Sequence, residues 1–210
     1  MKVLVTGATG FVGKKLVSQL INRGHKVSIL TRDTEIARKR LPMDCEFHKW
    51  EPELYPPSSQ AFDGVNAVVH LAGENIANKR WSESRKNKIK DSRVLSTRNL
   101  VSTLKSMKNA PDTFVSASAV GFYGKDKPVE LYEDLDPGKD FLADVCKEWE
   151  HEAFVAKDHN IRTIALRIGI VLGYEGGAIK KMLPPFWAGV GGTLGDGNQW
   201  MSWIHIKDLV

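Results

Sequence analysis

Three glycines, Gly7, Gly10 and Gly13, lie between a short apolar run at residues 3–6 and a helical pattern at residues 11–22. Glycine in or near an element interior costs roughly 0.5–1 kcal/mol relative to alanine. Three of them so close together therefore indicate a turn from which larger side chains are excluded. A strand, a glycine turn and a helix in this order are typical of the start of a βαβ unit.

The glycine spacing matches the phosphate-binding turn of dinucleotide-binding folds. In such a turn the first glycine makes the tight bend, the second lets the backbone approach the pyrophosphate, and the third lets the helix pack on the strand. The helix that follows offers unpaired N–H groups and a partial positive charge to the phosphates. We therefore predict a dinucleotide site and disfavour the alternative of a purely structural turn.

The other apolar runs also alternate with helical patterns along the chain. The predicted strands are residues 3–6, 26–31, 46–49, 67–72, 113–118 and 162–168. The predicted helices are residues 11–22, 82–105 and 143–157. Continuous apolar strands separated by helices are typical of a parallel sheet covered on both faces. The sequence thus predicts an α/β fold with a doubly wound parallel sheet, a Rossmann fold.

The end of the sequence differs in composition from the rest. We assign residues 1–168 to a dinucleotide-binding Rossmann domain and residues 169–210 to the beginning of a substrate-binding region. The last segment is glycine-rich, then apolar, and stops inside the first turn of a predicted helix. Because no C-cap or polar tail closes that helix, we expect the substrate-binding region to be incomplete and the chain to be truncated there.

The composition excludes several classes of protein. Hydrophobic residues make up 42% and charged residues 26%, which is typical of soluble globular proteins and not of disordered ones. No run approaches the roughly 18 apolar residues of a membrane span. Cys45 and Cys146 lack metal-ligand spacing, so no metal site is predicted. We expect a cytoplasmic protein without a membrane partner.

Basic residues are concentrated in residues 79–98 of a chain with net charge +5. They are Lys79, Arg80, Arg85, Lys86, Lys88, Lys90, Arg93 and Arg98. We favour a solvated helix face for this stretch, with an anion-binding or partner surface as the alternative. The small charge excess does not require nucleic acid, so no nucleic-acid partner is predicted.

The end of the second predicted strand bears on the choice of cofactor. NAD-binding sheets usually place an acidic residue there to accept from the ribose 2′-OH, whereas a nearby arginine suits the 2′-phosphate of NADP. Here Thr31 occupies the expected acidic position and Arg32 follows it. Arginine binds phosphate through two parallel hydrogen bonds. We therefore favour NADP. NAD remains the alternative, because Asp33 would take the acidic position if the alignment of the strand end shifts by two residues.

Four motifs occur in order along the chain: TGATGFVG, AVVHLAG, SASAVGFYG and WIHIKDLV. With these motifs the chain resembles the extended short-chain dehydrogenase/reductases. Within them it is similar to the NAD(P)-dependent epimerase/dehydratase-like branch, whose members are mostly of unassigned function and sometimes carry a cell-division-inhibitor label. The resemblance covers all 210 residues. It implies a Rossmann fold, a nicotinamide dinucleotide and a small-molecule substrate.

The resemblance also implies individual site residues. Together with the end of the second strand, the cofactor-binding residues are Gly7, Thr9, Gly10, Phe11, Val12, Gly13, Thr31, Arg32, Leu71, Ala72, Gly73 and Ser116. Ser118 matches the catalytic serine after the fifth strand, and Tyr123 matches a tyrosine of a Tyr-Gly pair. Further family positions are matched by Asn99, Arg167, Gly173, His205 and Asp208.

The sequence departs from the family pattern at the catalytic Tyr-x-x-x-Lys pair. In the family the lysine lowers the phenol pKa and holds the nicotinamide ribose, while the tyrosine moves a proton. If Lys147 is that lysine, Ala143 takes the tyrosine position. An alignment on Glu150 instead puts Leu142 and Cys146 at the two positions. Neither register contains a tyrosine, so Lys147 is predicted to reach the ribose only from a shifted register.

The Tyr-x-x-x-Lys spacing does occur once, at Tyr123 and Lys127. Gly124 lies between these two residues, and Pro128 follows them. No helix would present both side chains on one face there, so we treat the match as chance. Tyr123 either replaces the missing phenol or is a packed aromatic, and both interpretations stay open. His70 is expected to be a half-buried strand residue rather than a base.

The sequence favours an NADP-dependent oxidoreductase or epimerase-like enzyme whose substrate lies near Ser118 and Tyr123. The family resemblance implies that this substrate is small and nucleotide-sugar-like. The missing tyrosine leaves an alternative, an NADP-binding sensor or regulatory protein without turnover. The long helix of extended members commonly packs in a dimer. We therefore also expect that residues 82–105 form a homodimer interface.

Overall fold

The computed structural model describes most of the chain. The described residues are 1–41, 44–77, 80–125, 130–193 and 195–210, without the side chain of Lys181. Lys79 of the basic stretch, and Lys127 and Pro128 of the literal Tyr-x-x-x-Lys match, lie outside these residues.

The described residues form two sheets flanked by helices. The strands are β1 (Lys2–Thr6), β2 (Lys26–Thr31), β3 (Cys45–Lys49), β4 (Ala67–His70), β5 (Thr113–Ala119), β6 (Arg162–Ile168), β7 (Ile170–Gly173) and β8 (Trp203–His205). The α-helices are α1 (Phe11–Asn22), α2 (Thr34–Arg40), α3 (Glu83–Ser106), α4 (Phe141–Phe154), α5 (Gly177–Trp187) and α6 (Ile206–Leu209). Three short 3₁₀ helices span Ser59–Phe62, Val120–Tyr123 and Val155–His159.

The main sheet has six parallel strands in the order β3-β2-β1-β4-β5-β6. The chain runs outward from β1 to β3, then returns to place β4 on the other side of β1. The direction of winding therefore reverses between β1 and β4, and ligands of such sheets bind outside the carboxyl ends of the strands at that reversal. The doubly wound parallel sheet predicted from the sequence is confirmed.

Two apolar layers cover the sheet because neighbouring residues of each strand point to opposite faces. In β1, Val3 and Val5 join a buried cluster with Val17 of α1. Leu4, between them, packs in the other cluster with Leu100 of α3. Both faces are thus buried, which explains why the strands read as continuous apolar runs.

The sequence patterns predicted α1, β2 and β6 with the observed ends, but they missed α2. That helix begins because the Asp33 carboxylate accepts a hydrogen bond from the Ile36 N–H at 2.8 Å. A side-chain cap of this kind satisfies one of the free donors of a first turn. The α2 segment is highly charged, so its apolar periodicity was too weak to predict a helix.

The predicted ends of two other elements are corrected by the structure. β4 ends at His70 rather than at residue 72, because Leu71 and Ala72 leave the ladder to hydrogen-bond Thr6. α4 begins at Phe141 rather than at residue 143, because the Asp140 carboxylate caps it. Its predicted end at residue 157 falls in the 3₁₀ helix that follows.

Helix α3 begins after Ser82, whose Oγ accepts from the Arg85 N–H at 3.2 Å. Ion pairs from Lys90 to Glu148 and from Arg98 to Glu152 link it to α4. The homodimer interface expected along this helix stays a prediction.

None of the helices in the described part of the chain is long and apolar enough to cross a membrane.

Beyond β6 the chain forms a small second sheet in which β7 and β8 pair in parallel. Phe11 at the start of α1 packs beneath this region. A Cβ at Gly173, Gly176 or Gly177 would lie within 3.0 Å of its ring atoms. These glycines let the second sheet approach the phosphate-binding turn closely. The sequence predicted neither β7, α5 nor β8.

Candidate functional site

A cavity of about 220 Å³ lies at the carboxyl ends of β1, β2 and β4, where the winding of the sheet reverses. Eight of the predicted cofactor-binding residues line it: Gly7, Thr9, Gly10, Thr31, Arg32, Leu71, Ala72 and Gly73. The structure thus brings three separate sequence motifs to one place. Its position is where dinucleotides bind in open α/β sheets.

The glycine turn has almost no room for a side chain. Gly7 has φ of +67°, and a Cβ there would lie 2.6 Å from the carbonyl oxygen of Leu71. A Cβ on Gly13 would lie 2.3 Å from the carbonyl oxygen of Gly7. Gly10 is less crowded, since the nearest atom would be 3.2 Å away. The close approach of the backbone therefore requires glycine at positions 7 and 13, whereas Gly10 lines the cavity.

The first turn of α1 is free to bind an anion. Gly10 is its N-cap residue, and no side chain caps the helix. The first N–H groups of a helix have no partner within the helix and carry partial positive charge. Phosphate groups bind at such N-termini. The backbone of Phe11, Val12 and Gly13 supplies these donors, although none of the three residues lines this cavity.

A buried hydrogen-bond network supports the cavity floor. The Thr6 hydroxyl accepts from the N–H groups of Leu71 and Ala72, each at 3.2 Å. Its own hydrogen therefore goes to Nδ1 of His70, at 2.7 Å. Nε2 of His70 then carries the ring hydrogen and donates to the Thr97 hydroxyl at 3.0 Å. The network joins β1, β4 and α3 and holds the cavity-lining segment after β4.

His70 is fully buried, so the expectation of a half-buried residue is wrong. Burial lowers the pKa of His70 to about 3, because the charged imidazolium would lose its hydration. The ring is therefore neutral near neutral pH. Its two nitrogens are both engaged in hydrogen bonds, so it holds the network in one tautomer.

Thr31 and Arg32 line the cavity at the carboxyl end of β2. Asp33 was the residue that left NAD as an alternative cofactor. In the structure its carboxylate caps α2 by accepting a hydrogen bond from the Ile36 N–H. Glu74 also lines this cavity. Its pKa is lowered first by its hydrogen bond from Arg85, with smaller contributions from Lys88 and Arg32. Among the described residues that line the cavity, Arg32 is the cation, whereas Glu53 and Glu74 are carboxylates.

Several cavity-lining residues were not found from the sequence: Trp50, Pro52, Glu53, Glu74 and Ser92. The first three follow β3, and the indole N–H of Trp50 donates to the Tyr55 carbonyl at 2.8 Å, which fixes the loop. The run Trp-Glu-Pro-Glu after the third strand was a usable signal. Parallel strands end at one edge of the sheet, so residues after any of them are candidates.

Ser118 and Tyr123 lie in a second polar group, which we call the Arg167 cluster and which also contains Glu150. The Ser118 hydroxyl donates to Glu150 Oε1 at 2.6 Å. Arg167 donates to both carboxylate oxygens of Glu150, each at 2.9 Å. Its Nη1 also donates to the Tyr123 hydroxyl at 2.9 Å. The cluster crosslinks the ends of β5 and β6 with α4.

The chemistry of the Arg167 cluster is dominated by its ion pair. Ser118, Tyr123 and Glu150 are each no more than 6% exposed. Buried charges need such pairing and hydrogen bonds to persist. The hydrogen of Ser118 is engaged by a carboxylate, and the phenol oxygen of Tyr123 accepts from a cation. The Glu150–Arg167 pair thus positions both hydroxyls.

The structure does not bring Lys147 together with Ser118 and Tyr123. Its side chain is 56% exposed and lies 3.8 Å from Asp144 on the same helix. The opposite face of α4 carries Leu142 and Cys146, which pack against Gly121 after β5. The alignment on Glu150 is therefore the one that places the two positions of the catalytic pair, Leu142 and Cys146, on the side of α4 that faces the sheet.

Two other predicted site residues also lie apart from the cavity. Ser116 is buried within β5, and its hydroxyl donates to the Ala117 carbonyl. The ring of Phe11 faces β7 and α6 instead, where it lines a separate cavity of about 540 Å³. Roles for these side chains in binding a cofactor stay predictions. Among the described residues, no cluster of His, Cys, Asp and Glu could hold a metal ion.

Comparison with known proteins agrees with this geometry. The sequence profile of the NAD dependent epimerase/dehydratase family matches residues 3–210. The chain belongs to this family. The resemblance derived from the four motifs is thereby confirmed.

Individual family relatives match over the whole chain. The chloroplastic epimerase family protein SDR39U1 homolog of Arabidopsis thaliana is 40% identical over 219 residues, covering 100% of this chain and 60% of its own length. The solved structure of human epimerase family protein SDR39U1 (isoform 2) with NADPH is 35% identical with a TM-score of 0.83. It matches 100% of this chain and 67% of its own.

A second solved structure is the nucleoside-diphosphate sugar epimerase from Corynebacterium glutamicum, 39% identical with a TM-score of 0.81. It matches 100% of this chain and 42% of its own. The chain spans about 60 to 67% of the length of the curated family relatives that it matches first. The cytoplasmic location expected from the sequence stays a prediction.

Proposed function

We propose that this chain binds NADP(H) in the cavity at the glycine turn and supports an oxidoreductase or epimerase-like reaction. The observation that carries the proposal is the pairing of two anion-binding elements across one cavity. The uncapped N-terminus of α1 faces the pyrophosphate position, and Arg32 lies at the end of β2. The human relative solved with NADPH supports the same choice of cofactor.

The proposed substrate is a small polar molecule of the nucleotide-sugar type. The name of the Corynebacterium relative, a nucleoside-diphosphate sugar epimerase, supports this class. The substrate would approach the nicotinamide end of the cofactor from the side of β7 and β8. Ser118 lies in β5 and Tyr123 in the 3₁₀ helix that follows, and β5 pairs with β6, the strand that leads into β7.

Calorimetric titration with NADPH and NADH tests the choice of cofactor. We expect NADPH to bind at least about tenfold more tightly, a difference of about 1.4 kcal/mol. Replacing Arg32 with alanine should remove that difference, because the 2′-phosphate loses its guanidinium partner. Arg40→Ala is the matched control, since Arg40 is exposed on α2 and does not line the cavity. Equal affinities for the two nucleotides would contradict the NADP assignment.

A second function, cofactor binding without turnover, is favoured by one specific observation. No tyrosine of α4 faces the sheet, and the two candidate hydroxyls are held by the Glu150–Arg167 pair. A missing proton donor ordinarily lowers the rate by about 10²–10⁴-fold. In this case the protein would sense or carry NADP(H) as a regulatory partner.

Oxidation of bound NADPH by a panel of carbonyl substrates and nucleotide sugars separates the two functions. Turnover that Tyr123→Phe abolishes, with NADPH affinity unchanged, would assign the phenol to proton transfer. Absence of turnover across the panel, with tight NADPH binding, would favour the sensor or regulatory role. Tyr132→Phe is a suitable control, because Tyr132 is exposed and its hydroxyl donates to Glu130.

A further inference from the structure

Arg93 differs from three other basic residues of the long helix α3 that form ion pairs. Arg85 pairs with Glu74, Lys90 with Glu148 and Arg98 with Glu152, each at 2.7 Å. Within the part of the chain that the structure describes, Arg93 forms no ion pair. No carboxylate of the described residues therefore forms an ion pair with its guanidinium.

Arg93 lies between the cavity-lining segment after β4 and helix α4. A Cβ on Gly73 would be 3.3 Å from Cζ and 3.4 Å from Nη2 of Arg93. On its other side the guanidinium lies 5.3 Å from the ring centroid of Trp149. A Cβ at position 73 would therefore be in tight contact with the guanidinium, and glycine lets the guanidinium lie against the backbone there.

Most donors of Arg93 are uncommitted. Nη1 donates to the Ile89 carbonyl at 3.0 Å and lies 3.4 Å from Ser92 Oγ. Nε and Nη2 have no acceptor among the described residues, and neither belongs to the buried nitrogens that lack a partner. These donors are therefore not fully enclosed by the described residues, and Arg93 lies against Gly73 and Ser92, which line the cavity. An arginine has five N–H donors in a planar fork that matches phosphate and paired hydroxyl oxygens.

The charge of Arg93 is also only partly compensated by its surroundings. Burial lowers the pKa of Arg93, while Cys146 and Glu74 raise it and Arg85 lowers it further. A cation kept in such a place without an ion pair is stabilised when an anionic or hydroxyl-rich ligand binds it.

The position of Arg93 corresponds to the far half of a bound dinucleotide. Arg32 marks the β2 end and the glycine turn marks β1, so a dinucleotide that binds both extends its remaining half toward β4 and β5. Gly73 and Ser92 line that side of the cavity. The α4 face directed there carries Cys146 and no lysine.

We propose that the guanidinium of Arg93 binds the nicotinamide half of the dinucleotide, donating to the ribose hydroxyls and the adjoining phosphate. Arg93 thereby supplies from α3 a cation that the face of α4 directed to the cavity does not carry. This inference rests on the proposed function, since it deepens the description of the same site. Arg93 holds the nicotinamide ribose in place and has no part in proton transfer.

Calorimetric titration of the purified chain with two ligands tests the assignment. NADPH contains both halves of the dinucleotide, whereas 2′,5′-ADP contains only the adenosine half. For Arg93→Met we expect NADPH affinity to fall by at least about tenfold and 2′,5′-ADP affinity to stay within about twofold. Arg98→Met is the matched control, because Arg98 lies on the same helix and pairs with Glu152. It should change neither affinity.

A conservative variant guards against misfolding. Arg93→Lys keeps the charge but loses the fork, so NADPH should bind several-fold more weakly than to the wild type, with unchanged 2′,5′-ADP affinity. If NADPH binds Arg93→Met as tightly as the wild type, the assignment is overturned while the proposed function stands. Equal losses for both ligands would also overturn it, since Arg93 would then act on the whole site. A wild type that binds neither ligand would overturn the proposed function itself, and this assignment with it.

Discussion

The nucleotide cavity and the Arg167 cluster lie at the same edge of one sheet but are built in opposite ways. The cavity is lined largely by backbone and small residues, and no side chain caps the start of α1. Beside it, Nε and Nη2 of Arg93 have no acceptor among the described residues, while Nη1 donates to the Ile89 carbonyl. In the Arg167 cluster, Glu150 accepts from Ser118 and from two nitrogens of Arg167. A region with uncommitted donors is prepared for an anionic ligand, whereas a region that satisfies its own charges stabilises the fold.

The comparison also separates two uses of arginine. Arg167 lies 3.4 Å from the ring centroid of Phe122 and forms a bidentate pair, so its fork is committed. Arg93 lies against an aromatic ring too, but without a carboxylate. The residue type is the same in both places, and the neighbouring element decides whether the guanidinium is structural or available to a ligand.

The largest expected effect comes from breaking the Arg167 cluster. Arg167→Met leaves the Glu150 carboxylate, whose side chain is 6% exposed, without its cation. Removing one partner of a buried pair costs about 3–5 kcal/mol. Urea unfolding should show that loss, and the double variant Glu150→Gln, Arg167→Met should recover most of it, because no uncompensated charge remains.

The exposed pair between Arg98 and Glu152 provides the control for that experiment. The Arg98 side chain is 56% exposed, so Arg98→Met should cost less than about 1 kcal/mol. Similar losses for Arg167→Met and Arg98→Met would mean that the two pairs do not differ as their burial indicates.

In the nucleotide cavity, the expected effect of Gly7→Ala is about 2–5 kcal/mol, from the left-handed backbone together with overpacking. The new methyl would meet the Leu71 carbonyl, which is backbone and cannot rotate away. Gly24→Ala is the matched control, since Gly24 has φ of +76° with no atom within 4 Å. It should lose only about 1–2 kcal/mol. Equal losses in urea unfolding would show that the close approach is unimportant.

A smaller effect is expected from pH, through His70. Its pKa is lowered to about 3 by burial in the folded state, compared with about 6.5 in the unfolded chain. The unfolded state therefore binds more protons in this interval, and stability falls as the pH decreases below about 6.5. Between about pH 7.5 and about pH 5.5 we expect His70 to contribute a loss of about 1.4 kcal/mol.

Urea unfolding at the two pH values measures this loss. His70→Asn removes the titrating group, so the variant should be less stable at both pH values but should show a correspondingly weaker pH dependence. A wild-type stability that does not change between the two values would contradict a neutral, buried ring.

The smallest expected effect is that of Lys147→Met. The side chain is exposed on α4 and close only to Asp144. We expect a change in unfolding free energy of less than about 0.5 kcal/mol and NADPH affinity within about twofold of the wild type. A large loss of NADPH affinity would instead restore Lys147 as the ribose-holding residue and would weaken the case for Arg93.

The sequence alone determined the alternation of the first six strands with helices, the turn at Gly7, Gly10 and Gly13, and the position of Thr31 and Arg32 at the end of the second strand. These features depend on local rules: the period of apolar residues, the conformational freedom of glycine and the shared edge at which parallel strands end. The family motifs added Ser118 and Tyr123, and the structure brings those two together.

The tertiary structure alone decided what each polar group does. Whether Arg93 or Arg167 forms an ion pair with a carboxylate depends on residues far away in sequence. Glu150 and Arg167, for example, lie on α4 and β6. Charge pairing depends on distance and burial, and neither can be derived from local periodicity. For that reason Lys147 was a reasonable candidate in the sequence, while Arg93 emerged only from the packing of α3 against Gly73.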